Sequence, residues 1–166
     1  DHSIYEEISR LTLEMSAHRE HEKSNLLHNL IKNHGLILAF DSRTISLAVI
    51  KSLLSERGVG KILLASGDVS SDRDELLKKF EHGSRERGII GLCSDSLSEG
   101  VNLQQASALV HLDMPSVVRI AEQRVGRVDR MDSPHEVIEA WWPEDAPEFA
   151  LASDERFIER YETVDR

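Results

Sequence analysis

The sequence predicts an open α/β domain, a parallel sheet with helices on both faces. Three observations predict it. Short runs that are apolar at nearly every position recur along the chain, as strands buried on both faces require. Stretches with helical spacing of apolar residues separate them, so strand and helix alternate. Each run ends on small, polar or turn-forming residues, which suits the carboxyl edge of a parallel sheet, where such domains gather function.

Taken in order, residues 1–33 read as an N-terminal helical segment, set apart from a domain over 34–166. Ile4, Ile8, Leu11 and Met15 recur at steps of four, three and four. Leu26, Leu27, Leu30 and Ile31 continue an apolar stripe. The polar stretch 18–25 between them leaves open one long helix or two. Asn33-His34-Gly35 closes the segment, with Gly35 able to take the left-handed conformation of a helix stop. Strands follow at 36–40, 61–65, 88–93, 108–112 and 136–142. Helices are expected over 44–57, 71–82, 117–127 and 154–164. The first of these shares one face among Ile45, Ala48, Val49 and Leu53; the second turns Leu76, Leu77 and Phe80 inward. The strand ends are Asp41-Ser42-Arg43, Ser66-Gly67-Asp68, Ser94-Asp95-Ser96 and Asp113-Met114-Pro115.

Composition narrows the class. A chain of 166 residues fits one domain and can bury roughly 70% of its unfolded surface. No stretch approaches the roughly 20 apolar residues that span a bilayer. The acidic opening, Asp1 to Glu7, is wrong for a secretory signal, and the lack of an initiator methionine fits either a piece of a longer polypeptide or a processed chain. The single cysteine, Cys93, lies in an apolar run, so no disulfide framework exists and a reducing, intracellular compartment follows. The net charge is −10. A nucleic-acid binder of this composition must concentrate its basic residues in one place.

One segment does so. Arg119, Arg124, Arg127 and Arg130 fall within twelve residues, and the last three are spaced by three. Guanidinium groups gathered on one side suit phosphate, because the planar fork donates two bonds at once. A solvated face with ion pairs to Glu122 and Asp129 fits the same residues. A second segment, Ser94-Asp95-Ser96-Leu97-Ser98-Glu99-Gly100-Val101-Asn102-Leu103-Gln104, follows a strand directly. Hydroxyls at a strand end can bond phosphate oxygens, and Gly100 permits close backbone approach. An ordinary capped loop is the alternative.

Together the two segments resemble motifs V and VI of the second RecA-like lobe of superfamily 2 helicases. Gln123-Arg124-Val125-Gly126-Arg127-Val128-Asp129-Arg130 fits the motif VI form Q-R-x-G-R-x-x-R. Ser94-Asp95 through Gly100-Val101-Asn102-Leu103 fits motif V. Leu36 to Arg43 resembles motif IV, and Ser66-Gly67-Asp68-Val69-Ser70 with Arg73 and Phe80 resembles the element after it. Within the superfamily the phrase is most similar to Swi/Snf-type DNA translocases, since DEAD-box proteins usually place histidine at Gln123 and glycine at Asp129. After the last arginine the chain has Met131-Asp132-Ser133, where the Swi/Snf pattern has isoleucine-glycine-glutamine.

The resemblance implies a RecA-like fold and one half of an ATP-driven motor. It implies Arg127 and Arg130 as catalytic arginines that reach the γ-phosphate, Arg130 foremost. It places Gln123, Glu99, Gly100 and Asn102 at the nucleotide, and Ser42, Arg43, Ser66, Gly67, Ser94 and Asp95 along the nucleic-acid backbone. The cofactor is ATP with Mg²⁺, held mainly by a first lobe of the same polypeptide; the other partner is nucleic acid, duplex DNA in the Swi/Snf case. Alone, the chain is expected to be inactive. Two other functions remain open: a stand-alone lobe that docks a partner protein, and a lobe of an RNA helicase.

Several look-alikes fail. Gly58-Val59-Gly60-Lys61-Ile62 lacks both the earlier glycine and the Ser or Thr of a P-loop. His18 and His21 lack the zinc spacing, because Asn25 stands where a histidine is needed. No metal site is therefore expected. Cys93 reads as a core thiol. Of Trp141 and Trp142, one is expected to pack inward and the other to lie near an edge.

Overall fold

A computed structural model of the chain describes residues 2–14, 18–66, 70–97, 101–115, 117–144, 156, 158 and 159. The elements run α1 (His2–Glu14), α2 (His18–Leu30), β1 (Leu36–Phe40), α3 (Thr44–Glu56), β2 (Lys61–Ala65), α4 (Ser70–Phe80), β3 (Ile89–Cys93), a 3₁₀ turn (Asp95–Leu97), β4 (Ala108–His111), α5 (Val118–Val125) and β5 (Glu139–Trp141). The strands form one sheet in the order β2-β3-β1-β4-β5, and every described pairing is parallel. The N-terminal helical region is two helices, α1 and α2. The expected helix over 154–164 lies almost wholly outside the described residues. Among the described residues no helix is long and apolar enough to cross a membrane.

The continuous apolar runs have their cause in two cores. Along β1, Leu36, Leu38 and Phe40 point to one face and Ile37 and Ala39 to the other, as strand geometry dictates. The first face packs against Leu76 and Phe80 of α4 and against Val101, Leu103 and Val128. The second packs against Leu27 and Leu30 of α2 and Leu47, Ile50 and Leu54 of α3. Gly91, in the middle of β3, is where the first face closes tightest. A Cβ there would stand 2.8 Å from Leu76 Cδ1 and 2.9 Å from Leu38 Cδ2.

Three expectations need correction. The inward face of α3 is Leu47, Ile50 and Leu54, whereas Ile45 is 79% exposed and Ala48 and Val49 are also exposed. The helix is apolar almost all round, so two stripes fit the 3.6-residue repeat. The one carrying leucines and isoleucine takes the core, where it buries the larger area. Gly35 does not take the left-handed conformation; Gly58, Gly83 and Gly88 do. The α2 helix instead ends in a turn over 31–33, and a Cβ added at Gly35 would stand 3.4 Å from the Arg87 Cγ. Finally, β5 is three residues long rather than seven, because an edge strand with exposed residues pairs only along β4.

The topology sets the site. From β1 the chain crosses toward β2, and from β4 it crosses the opposite way toward β5. A crevice opens where neighbouring connections diverge, outside the carboxyl ends of β1 and β4. Asp41-Ser42-Arg43 and His111-Leu112-Asp113 lie there, with Ser94-Asp95 at the end of adjacent β3.

Candidate phosphate and nucleic-acid site

The strand-end loops are tied to one another before any ligand is considered. The Ser42 amide donates to Asp113 Oδ2 at 2.9 Å, which joins the loops after β1 and β4. The Arg43 amide donates to Asp41 Oδ1 at 2.8 Å, and Lys23 of α2 reaches Asp41 Oδ2 at 3.3 Å. Asp41 is buried, so this ion pair from α2 offsets the cost of a charge at the end of β1.

Arg124, on α5, organises the centre. Its side chain is 2% exposed. Nε donates to Asp95 Oδ1 at 2.8 Å and Nη2 to Asp95 Oδ2 at 3.0 Å, a bidentate pair. Nη2 also stands 3.0 Å from Asp113 Oδ1 as an ion pair. Nη1 lies 3.2 Å from His111 Nδ1, and the guanidinium carbon is 5.6 Å from the centre of the Phe40 ring. Burial pulls the Arg124 pKa down, but the Asp95 and Asp113 carboxylates outweigh it and the net shift is upward. Sequence reasoning placed Arg124 in a cluster suited to phosphate; the structure commits its donors internally. The available signal was Asp95 and Asp113, two carboxylates at strand ends that require a cation.

The remaining predicted residues sort by exposure. Ser42, Arg43, Asn102, Gln123 and Arg130 are exposed, and Ser66 is half-buried. Ser94 is buried, with its hydroxyl 2.6 Å from that of Ser96. The Asp95 carboxylate, about a third exposed, is held by Arg124. Arg127 is 7% exposed; Arg130 lies at the surface, its Nε donating to the Gly126 carbonyl at 3.2 Å. The loop after β3 and the segment after α5 are joined by backbone, since the Leu103 amide donates to the Arg127 carbonyl at 3.0 Å. The Gln104 amide also bonds Asp132. Gly67, Glu99 and Gly100 lie outside the described residues.

Cys93 is fully buried and its thiol is pushed far up by desolvation, as expected of a core thiol. Trp142 stacks on His111, ring centres 4.0 Å apart and planes 13° from parallel. Trp141 is 38% exposed on the edge strand and donates Nε1 to Glu139 at 3.2 Å.

A five-stranded parallel sheet whose strand-end loops converge on an arginine-bearing helix is a RecA-like fold. The family described as the helicase conserved C-terminal domain matches residues 22–132, and the chain belongs to it. It is a superfamily 2 lobe with Swi/Snf-like relatives. The chain is 33% identical over 115 residues to the RNA polymerase-associated protein RapA of Serratia proteamaculans (strain 568), covering 68% of this chain and 12% of RapA. It therefore spans about an eighth of that relative. Its fold is similar to the C-terminal part of the Fun30 ATPase domain, with TM-score 0.62 and 22% identity over 81% of this chain and 43% of that one. It is also similar to the E. coli DEAD-box protein SrmB bound to regulator of ribonuclease activity A, with TM-score 0.63 and 21% identity over 88% of this chain and 79% of SrmB.

Proposed function

We propose that this chain is the C-terminal motor lobe of an ATP-dependent translocase that tracks duplex DNA. The observation that carries this reading is the junction of the loop after β3 with α5 and the turn beyond it, through Arg124–Asp95 and the Leu103–Arg127 backbone bond. That junction leaves Arg130 and Gln123 exposed. Both offer N–H donors, and a surface guanidinium suits the spread negative charge of a polyphosphate. In this reading Arg130 is the finger that stabilises charge on the transferring phosphoryl group, and Arg127 acts from beneath it. Asn102, with Glu99 and Gly100, lines the nucleotide side. Ser42, Arg43, Ser66, Gly67, Ser94 and Asp95 form the nucleic-acid track, where contacts fix register without reading sequence. With Ser94 buried and Asp95 held, those two serve the track by shaping its loops. ATP and Mg²⁺ supply the phosphoryl chemistry, and a first lobe of the same polypeptide holds most of both. The functional lobe starts at α2, whose Leu27 and Leu30 belong to the core; α1 precedes it.

The test is nucleic-acid-stimulated ATP hydrolysis by the full-length polypeptide, wild type against Arg130→Ala. A finger is worth about 10³–10⁵ in turnover in related phosphoryl-transfer systems. A loss of that order with duplex DNA as stimulator supports the reading. Stimulation by RNA instead moves the chain to the RNA-helicase alternative. Absence of hydrolysis under every condition favours the protein-docking alternative.

A further inference from the structure

We propose that His111 and Trp142 are positioning residues that hold the Arg124 guanidinium in its bridge between Asp95 and Asp113. A guanidinium has only donors, so Nδ1 of His111, 3.2 Å from Nη1, must accept, and the ring proton sits on Nε2. Nε2 is buried and has no hydrogen-bond partner. His111 thus spends one nitrogen on Arg124 and leaves the other unsatisfied, an arrangement that pure packing does not call for. Trp142 covers the ring face to face and keeps water from it. The charged groups facing His111 are Arg124 from α5 and Asp113 from the loop after β4. Burial first, and Arg124 second, hold its pKa down to about 3, so it stays the neutral acceptor the clamp requires.

Trp142 lies beyond residue 132, where the family match ends. The clamp therefore ties the residue just after β5 to the Asp95 loop through Trp142, His111 and Arg124. The bearing of this on nucleic acid rests on the proposed motor function; the clamp itself does not.

The test is NMR of the 166-residue chain, reading the His111 ring titration and the hydrogen exchange of Arg124 Nε–H. Trp142→Ala is expected to raise the His111 pKa toward 6.5 and to speed Arg124 exchange at least tenfold, while Trp142→Phe keeps both near wild type. Asn places an oxygen close to the position of Nδ1. His111→Asn should therefore keep Arg124 exchange slow, and His111→Leu should make it fast. Should Trp142→Ala fail to fold, Trp142→Leu against Trp142→Phe asks the same question at similar bulk. Unchanged titration and exchange on loss of the Trp142 ring, or equal exchange in His111→Leu and His111→Asn, overturns the proposal. None of these readouts needs ATP. A clamp that behaves as expected in a full-length polypeptide with no ATP hydrolysis under any condition would sink the motor reading and leave the clamp standing, whereas full turnover in Arg130→Ala would remove only the finger role of Arg130.

Discussion

The phrase from Gln123 to Arg130, at the end of α5 and beyond it, carries three arginines and holds them in opposite ways. Arg124, on the helix, is 2% exposed and is held by two carboxylates and an imidazole. Arg130, six residues later, is exposed, with a single backbone carbonyl under its Nε. Arg127 lies between them in burial as in sequence. A guanidinium committed to carboxylates has little left to give a ligand, whereas one at the surface loses little stability when removed. The arginine row has one member committed to carboxylates and one at the surface. Removing either end separates the roles. Arg124→Ala strands Asp95 and Asp113 without their cation. Urea unfolding should show a loss of about 3–5 kcal/mol, toward the low end because both carboxylates keep some solvent. Arg130→Ala should stay within about 0.5 kcal/mol of wild type. Equal losses would erase the distinction.

The same contrast between committed and free residues runs along α3. Leu47 is wholly buried on the α2-facing core, while Ile45, two residues before it, is 79% exposed. Leu47→Ala should cost about 2–5 kcal/mol. Ile45→Ala should cost about 0.5 kcal/mol or less. If the Ile45 variant proves the more damaging in thermal unfolding, the assignment of the two stripes is reversed.

These two cases also mark how far the sequence could be read. β1, β3 and β4 are buried at every residue, so their apolar runs announced a parallel sheet covered on both sides. Ser42, Asn102, Gln123 and Arg130, to which the motif resemblance gives ligand-facing roles, are exposed. On α3, periodicity could not choose between two apolar stripes, because the choice depends on where α2 packs. The partners of Arg124 were not legible for a similar reason. Asp95 lies 29 residues before it and His111 lies 13 before it, and only the order β3-β1-β4 brings their strand ends to one helix. Spacing along one helix shows which arginines share a side; it does not show which carboxylates arrive there from other strands.

The buried end of the arginine row also has a pH signature. His111 has an ordinary pKa of 6.5 when unfolded and about 3 when folded, the shift coming from burial and then from Arg124. Between those values the unfolded chain binds the extra proton. Stability should therefore rise with pH across that window and be complete above 6.5, with a contribution of up to about 1.4 kcal/mol per pH unit. In His111→Asn that contribution disappears, and the acid limb of a denaturation-versus-pH curve should flatten. An unchanged limb would mean that His111 is solvated and that Arg124 is less sealed than its contacts suggest.

Asp72 supplies the exposed counterpart and the smallest effect. It accepts from Lys51 Nζ at 2.9 Å and from the Leu64 amide at 3.1 Å, tying α4 to α3 and β2. The bond to Lys51 is the largest influence on its carboxyl and lowers the pKa below 3.8; partial burial opposes it, and the Leu64 bond and the nearby lysines add to the lowering. For a depressed carboxyl the stabilisation is fully present above 3.8 and is lost as pH falls through the folded value. Its side chain is 27% exposed and that of Lys51 37%, so solvent screens the pair. Asp72→Asn should therefore cost less than about 1 kcal/mol at neutral pH, and its difference from wild type should shrink below pH 3.8. Raised salt should shrink it too, since exposed pairs are screened. The Arg124–Asp95 clamp should hold in that salt, because one of its partners is out of the solvent. A salt response in Arg124→Ala as large as that in Asp72→Asn would place both pairs at the surface and remove the basis for treating Arg124 as structural.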